Sequence, residues 1–208
     1  MPTSIPKEPG SVTDTAVARS PIVQAGPVEV LGDWEVSRRR TSAALTLADL
    51  TPMTKIGVKA QEPPFAVGYG KSVRIEDWLV TGSGPGEWTL LGPVGKTMAV
   101  TTTGFATVID LTHGRALMRL TGKKAASVME KVCSIDLSTP MCPDGAVFRA
   151  AVANVVTDVV RDDIDAISSY LLHCERSSGQ FLFDALLDAG AEFGIDIQGF
   201  QPGPARTS

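Results

Sequence analysis

The sequence predicts an α+β fold of two related halves, the first truncated, with mixed or antiparallel sheets and packed helices. Strand-like apolar runs alternate with two segments of helical period. An Asp-Leu-Thr tripeptide occurs twice, each time at the end of an apolar run and ahead of a further strand-like run. The chain has 208 residues, 43% hydrophobic and 20% charged, enough to bury one core or two closely packed halves. The expected division is an N-terminal arm at 1–32, a first half at 33–104, a second half at 105–201 and a C-terminal tail at 202–208.

Residues 1–32 are rich in Pro, Ser, Thr and Gly and short of periodic large side chains. They read either as a disordered tail or as an arm ordered by a partner. After the Thr51-Pro52 turn signal, Ile56, Val58 and Ala60 alternate with more polar positions, as in a half-buried strand. Asp77 to Thr81 reads as another strand. Ser83-Gly84-Pro85-Gly86 is a turn leading to Trp88-Thr89-Leu90-Leu91.

In the second half, Phe105 to Leu111 and Ala116 to Leu120 are strand-like, separated by the turn Thr112-His113-Gly114. A helix is expected next, with Thr121 as N-cap and Ala125, Val128, Met129 and Val132 on its apolar face. The Val-rich stretch from Ala146 to Val160 and the run from Ile167 to Cys174 favour strands. A final helix is expected from Ser178 to Phe193, stopped by Gly194. The echo runs from Leu47-Ala48-Asp49-Leu50-Thr51 to Val108-Ile109-Asp110-Leu111-Thr112. The spacing onward is 29 residues from Asp49 to Trp78 but 60 from Asp110 to Tyr170, so the first copy reads as having lost a helix and a strand.

The net charge of -4 and the pI near 5.2 argue against nucleic acid as a partner. Three cysteines, Cys133, Cys142 and Cys174, with no C-x-x-C pair, suit a reducing cytoplasm better than a disulfide framework. No run approaches the ~20 apolar residues of a membrane span, and the N-terminus has no apolar export region. A cytoplasmic, non-membrane protein is expected.

Leu120-Thr121-Gly122-Lys123-Lys124-Ala125, following the Asp110 strand, resembles the Leu-x-Gly-x-x-Ala of the folate-binding domain shared by the glycine-cleavage T-protein and its relatives. The continuation from Val128 to Leu137, with Lys131-Val132-Cys133 and Asp136-Leu137, resembles the Lys-Gly-Cys-x-x-Asp-Leu segment of the gamma subunits of heterotetrameric sarcosine oxidases. Leu50-Thr51-Pro52-Met53-Thr54-Lys55 and the chain length agree. The resemblance spans about residues 40–195 and is strongest from Asp110 to Gly194. Val132 stands where relatives often have Gly.

What the resemblance implies is a non-catalytic subunit that bridges flavin and folate subunits in oxidative N-demethylation of sarcosine. FAD, FMN, NAD and tetrahydrofolate would sit on the partner alpha, beta and delta subunits. No cofactor, metal or catalytic residue would belong to this chain. A stand-alone folate-binding one-carbon protein, or the equivalent subunit of a related N-methylamino-acid dehydrogenase, are the alternatives.

The chemically suggestive residues fit this reading. Cys133 matches the position of a Cys in a related iron–sulfur maintenance branch, but the Gly-Gln-Glu that follows there is absent, and a Cys ending an apolar helix is usually a buried hydrophobe. His113 and His173 are the only histidines, too few for a metal centre or an oriented nucleophile, and His173 and Cys174, adjacent on a strand, face opposite ways. Gly82 to Gly86 lacks the Lys-Ser/Thr of a phosphate loop, and Pro85 removes a donor. Asp162, Asp163 and Asp165 lack calcium-loop spacing and read as a solvated turn. Trp34, Trp78 and Trp88 fit either interface anchors or core.

Overall fold

The computed structural model describes residues 16–201. The first fifteen residues of the expected arm and the tail at 202–208 lie outside it. The chain is α+β, with strands dominant and two α-helices among the described residues.

Two sheets pack face to face. The six-stranded sheet holds β3 (Leu45–Asp49), β9 (Arg115–Gly122), β10 (Val147–Val152), β11 (Val155–Arg161), β12 (Ser169–Glu175) and β13 (Asp196–Gln198), in the order β10-β11-β12-β9-β3-β13. The five-stranded sheet holds β4 (Thr54–Ala60), β5 (Ser72–Ile75), β6 (Trp78–Gly84), β7 (Glu87–Gly92) and β8 (Ala106–Asp110), in the order β5-β6-β7-β4-β8. Among the described strands of these two sheets the one parallel pair is β13 with β3. A separate hairpin, β1 (Val28–Leu31) and β2 (Trp34–Ser37), precedes both. Residues 16–32 are held by the chain itself: Ala18 bonds to Asp33 and Glu35 beside β2, and Ile22 is buried in the helix-side core.

Side-chain alternation along the strands builds the layers. On the outer face of the six-stranded sheet, Leu45, Leu47, Ala116, Met118, Leu120, Tyr170 and Leu172 meet α1 (Ala125–Val132) and α2 (Gly179–Gly190). On its inner face Leu117, Val147, Val160 and Leu171 meet Leu79 and Leu91 of the other sheet. The third cluster, with Val58, Trp78, Val80, Trp88 and Leu90, lies on the far face of the five-stranded sheet under Phe65, Val67 and Met98. Burying each such large side chain contributes about 1.5–3 kcal/mol. Trp34, Trp78 and Trp88 are all core residues, at most 6% exposed.

The repeated tripeptide marks a reciprocal crossing. β3 lies in the six-stranded sheet and leads through Leu50-Thr51 into β4 of the five-stranded sheet. β8 lies in the five-stranded sheet and leads through Leu111-Thr112 into β9 of the six-stranded one. The antiparallel pairs are β3 with β9 and β4 with β8, so each copy donates a strand to the other's sheet. The local bonds repeat as well. Thr51 N–H donates to Asp49 Oδ1 at 2.9 Å and Thr112 N–H to Asp110 Oδ1 at 2.8 Å. Leu50 N–H donates to Leu117 O and Leu111 N–H to Lys55 O, both at 2.8 Å.

One local expectation needs revision. Thr121 is not a helix cap. It lies in β9, one residue before its end, beside Ser169, and Lys124 occupies the N-cap position of α1 with no side-chain cap bond. The Val-rich stretch forms strands as expected, β10 and β11, paired as a hairpin turned at Ala153 and Asn154, both with positive φ (47° and 65°), the geometry that two-residue hairpins favour. Gly122 serves close approach: at φ 146° a Cβ there would stand 2.4 Å from Ala44 O. The last helix ends as expected, with Gly194 left-handed at φ 69° after a final short 3-10 turn.

Candidate functional site

The space between the sheets is apolar at one end and polar at the other. At the polar end a cavity of about 290 Å³ is bounded by β4, β7 and β8 on one side and by Arg115, Arg149, Asp158 and His173 on the other. Asp158 is its centre. Its Oδ1 accepts from Arg149 Nε at 2.6 Å and its Oδ2 from Arg115 Nη2 at 3.0 Å. Arg115 also pairs with Glu175, and Lys59 with Glu87 at 2.8 Å.

Burial raises the Asp158 carboxyl, but the surrounding imidazole and guanidinium groups outweigh it and leave the group at about 2. His173, 3% exposed, is pushed down to about 4, chiefly by burial and against the pull of Asp158. It is therefore neutral at pH 7. Its Nδ1 lies 3.7 Å from Asp158 Oδ2, beyond hydrogen-bond reach, and among the described residues neither ring nitrogen has a hydrogen-bond partner. The Nε of Arg115 is likewise buried without one.

A second clamp lies nearby. Asp162 takes Arg74 Nη2 at 2.7 Å on both oxygens and Arg119 Nη2 at 2.7 Å. Arg119 also donates to Ser169 Oγ at 2.9 Å. Burial raises the Asp162 carboxyl and the two arginines more than reverse that, so it is held below the usual carboxylate range. The expected solvated Asp162–Asp165 turn is thus corrected: Asp162 is 5% exposed and Asp163 pairs with Arg161, while Asp165 alone of the three is exposed. The cause is its place just past the end of β11, where it sits between Arg74 of one sheet and Arg119 of the other.

The other candidates are scattered. Cys133, Cys142 and Cys174 are free and buried. Cys133 and Cys174 line the helix-side core, so His173 and Cys174 do face opposite ways. His113 stacks on Trp34, with centroids 4.8 Å apart and planes 10° apart. Gly82 and Gly84 lie within β6 and Pro85-Gly86 form the turn to β7. A Cβ at Gly82 would meet Gly68 O at 2.2 Å, so that glycine serves a close backbone approach. Among the described residues no group of three or more His, Cys, Asp or Glu could hold a metal ion, and no helix is long and apolar enough to cross a membrane.

Sequence reasoning passed over Arg115, Arg149, Asp158 and Arg119. Their signal is charge inside strands otherwise made of Val, Leu and Ala, which a buried face tolerates only when the charges are paired.

No family model matches this sequence, and no curated protein matches it. Solved structures do match in fold. One is a chain of the heterotetrameric sarcosine oxidase from Corynebacterium sp. U-96, in complex with pyrrole 2-carboxylate. It is 20% identical with a TM-score of 0.61, over 74% of this chain and 87% of that one. Another is the glycine cleavage system aminomethyltransferase T from Bartonella henselae, 16% identical with a TM-score of 0.62, over 83% of this chain and 55% of that one. This chain spans about half the length of the aminomethyltransferase. The fold is T-protein-like.

Proposed function

We infer that this chain is a non-catalytic, gamma-type subunit of a flavin-dependent sarcosine oxidase-type complex, lying between a flavin subunit and a subunit with a folate domain. The observation that supports this most is one of size. The chain aligns with most of a similarly short component of a heterotetrameric oxidase, but with only about half of a stand-alone aminomethyltransferase. FAD, FMN, NAD and tetrahydrofolate would belong to the alpha, beta and delta partners.

The polar cavity is consistent with that role. Asp158, the carboxylate best placed to receive a ligand's N–H groups there, already accepts from two arginines. The cavity has a volume of about 290 Å³, which leaves little room for a folate. Neutral His173 has no hydroxyl or thiol nucleophile bonded to it. A wall that confines a reactive imine or formaldehyde between other subunits needs no such nucleophile.

Co-expression of the tagged chain with the products of neighbouring genes tests the reading. The expected result is a yellow complex with flavin absorbance that forms peroxide when sarcosine is added. A chain that purifies alone and colourless, and instead binds tetrahydrofolate tightly, would establish the one-carbon binding protein in its place.

A further inference from the structure

The outer edge of β8 differs from the other strands of its sheet. β8 pairs only with β4, and among the described residues no strand covers its other edge. Leu111 N–H donates to Lys55 O and Gln61 N–H to Phe105 O. In an antiparallel ladder the hydrogen-bonded pairs alternate, so Ala106, Val108 and Asp110 turn their N–H and C=O groups outward. Edges of this kind are usually guarded by Lys, Pro or a bulge. Here none of residues 97–109 is charged or proline. Phe105 is 76% exposed, and Val108 and Ile109 are each 49% exposed.

Both faces of β8 border cavities. Thr107 and Ile109 line the cavity between the sheets, with Lys59, Arg115 and Arg149 against Glu87 and Asp158. Val108 and Asp110 line a second cavity of about 380 Å³ on the opposite face, with Asp33, Met98 and the stacked Trp34 and His113. One cavity is lined by three cations and two carboxylates, with Arg115 also paired to Glu175 outside it. The other offers two exposed carboxylates and an apolar wall, with Lys96 as its single cation.

From this geometry we propose that β8 is a docking edge that takes up an extended segment of a partner subunit as a sixth strand. The partner's main chain bonds to Ala106, Val108 and Asp110. Its alternate side chains fall into the two cavities, which is how added strands gain specificity. The charges set its pattern: acidic residues on the face toward Arg149, and apolar or basic residues on the face toward Asp33 and Asp110. A second copy of β8 does not meet that pattern, because its Thr107 and Ile109 carry no charge for the cavity that Arg149 lines. A five-residue edge is also far short of the roughly 1,200 Å² that a stable dimer needs. The proposal rests on the subunit reading and deepens it.

The test compares hydrogen exchange in the free chain and in the purified complex. Ala106, Val108 and Asp110 amides are expected to slow by about tenfold or more on assembly, as newly bonded amides do. Val108→Pro removes an outward N–H without touching the β4 ladder, a place where edge strands tolerate proline, and should weaken assembly by about tenfold. Asp33→Lys and Arg149→Gln, both at exposed positions, should each weaken it too and lessen its salt dependence, which keeps the test decisive if the proline variant misfolds. A complex that forms with unchanged exchange at 105–110 and indifference to the charge variants overturns the docking edge and leaves the subunit reading standing. Absence of any complex overturns both. A dimer of the free chain that Val108→Pro dissociates would assign the edge to a second copy instead.

Discussion

The two Asp-Leu-Thr crossings share a backbone and differ in what surrounds it. Asp49 is 7% exposed, and its Oδ2 accepts from Gln24 Nε2 at 2.7 Å, so the N-terminal segment closes the first crossing. Asp110 is exposed beside an open cavity. After the first crossing comes Lys55, fully buried, with Nζ donating to Thr51 O at 2.6 Å and Met53 O at 2.8 Å. After the second comes Leu117, also fully buried, at the equivalent place in the ladder. The second loop is one residue longer, with Gly114 and Arg115 N–H both donating to Leu111 O where the first has Met53 N–H donating to Leu50 O. The shorter loop adds to this a side chain, Lys55, that donates to two of its own carbonyls. The same main-chain turn can therefore be left open or sealed, and what seals the first crossing is added side chains, Lys55 from within and Gln24 from the N-terminal segment.

Making the first crossing resemble the second should have the largest effect. Burial lowers Lys55 from 10.5 to about 7, against the opposing pull of Asp49 and Asp110. Between about pH 7 and 10.5 the unfolded chain keeps a proton that the folded chain has released, so stability rises with pH through that window. The full span corresponds to roughly 3–5 kcal/mol. Lys55→Met should remove that rise, visible as a difference between the urea-unfolding free energies of variant and parent at pH 7 and pH 9.5. Equal slopes in the two proteins would mean that Lys55 stays charged in the fold.

The second test sets Gly122 against Ala60, which occupies the equivalent ladder position and faces Ala106 as Gly122 faces Leu45. Gly122→Ala meets Ala44 O at 2.4 Å with φ at 146°, and should cost about 3 kcal/mol. Ala60→Gly should cost less than about 1 kcal/mol. Similar losses from thermal unfolding would show that β3 and β9 are not held as closely as the structure has them.

Much of this was legible in the chain. The tripeptide, the strands after it and both helices follow from period and turn chemistry, because each is decided within a dozen residues. The exchange of β3 and β8 between sheets is not decided locally. Alternation says which residues share a face but not which strand lies beside them. The β1–β2 hairpin hides in Pro- and Gly-rich composition, since its stability comes from Trp34 and Val36 packing under the inter-sheet core rather than from its own sequence. The polar site was the least legible part. Arg74 and Asp162 are 88 positions apart, and no spacing rule joins residues that meet only when two sheets close.

The smallest expected contrast concerns the two threonines, and it separates backbone satisfaction from burial. Leu117 N–H donates to Thr51 Oγ1 at 3.2 Å and Lys55 N–H to Thr112 Oγ1 at 3.0 Å, so each hydroxyl serves the strand that follows the other crossing. Valine keeps the shape and removes the acceptor. Thr51 is 0% exposed, so Thr51→Val strands a buried N–H where water has no access and should cost about 2 kcal/mol. Thr112 is 8% exposed and lines the open cavity, while the N–H it serves belongs to buried Lys55; with water entering from that cavity once the hydroxyl is gone, Thr112→Val should cost about 1 kcal/mol or less. Denaturant unfolding of both variants measures the difference. If Thr112→Val proves as costly as Thr51→Val, the second crossing is as closed to water as the first, and the contrast between a sealed and an open copy fails at its most exposed bond.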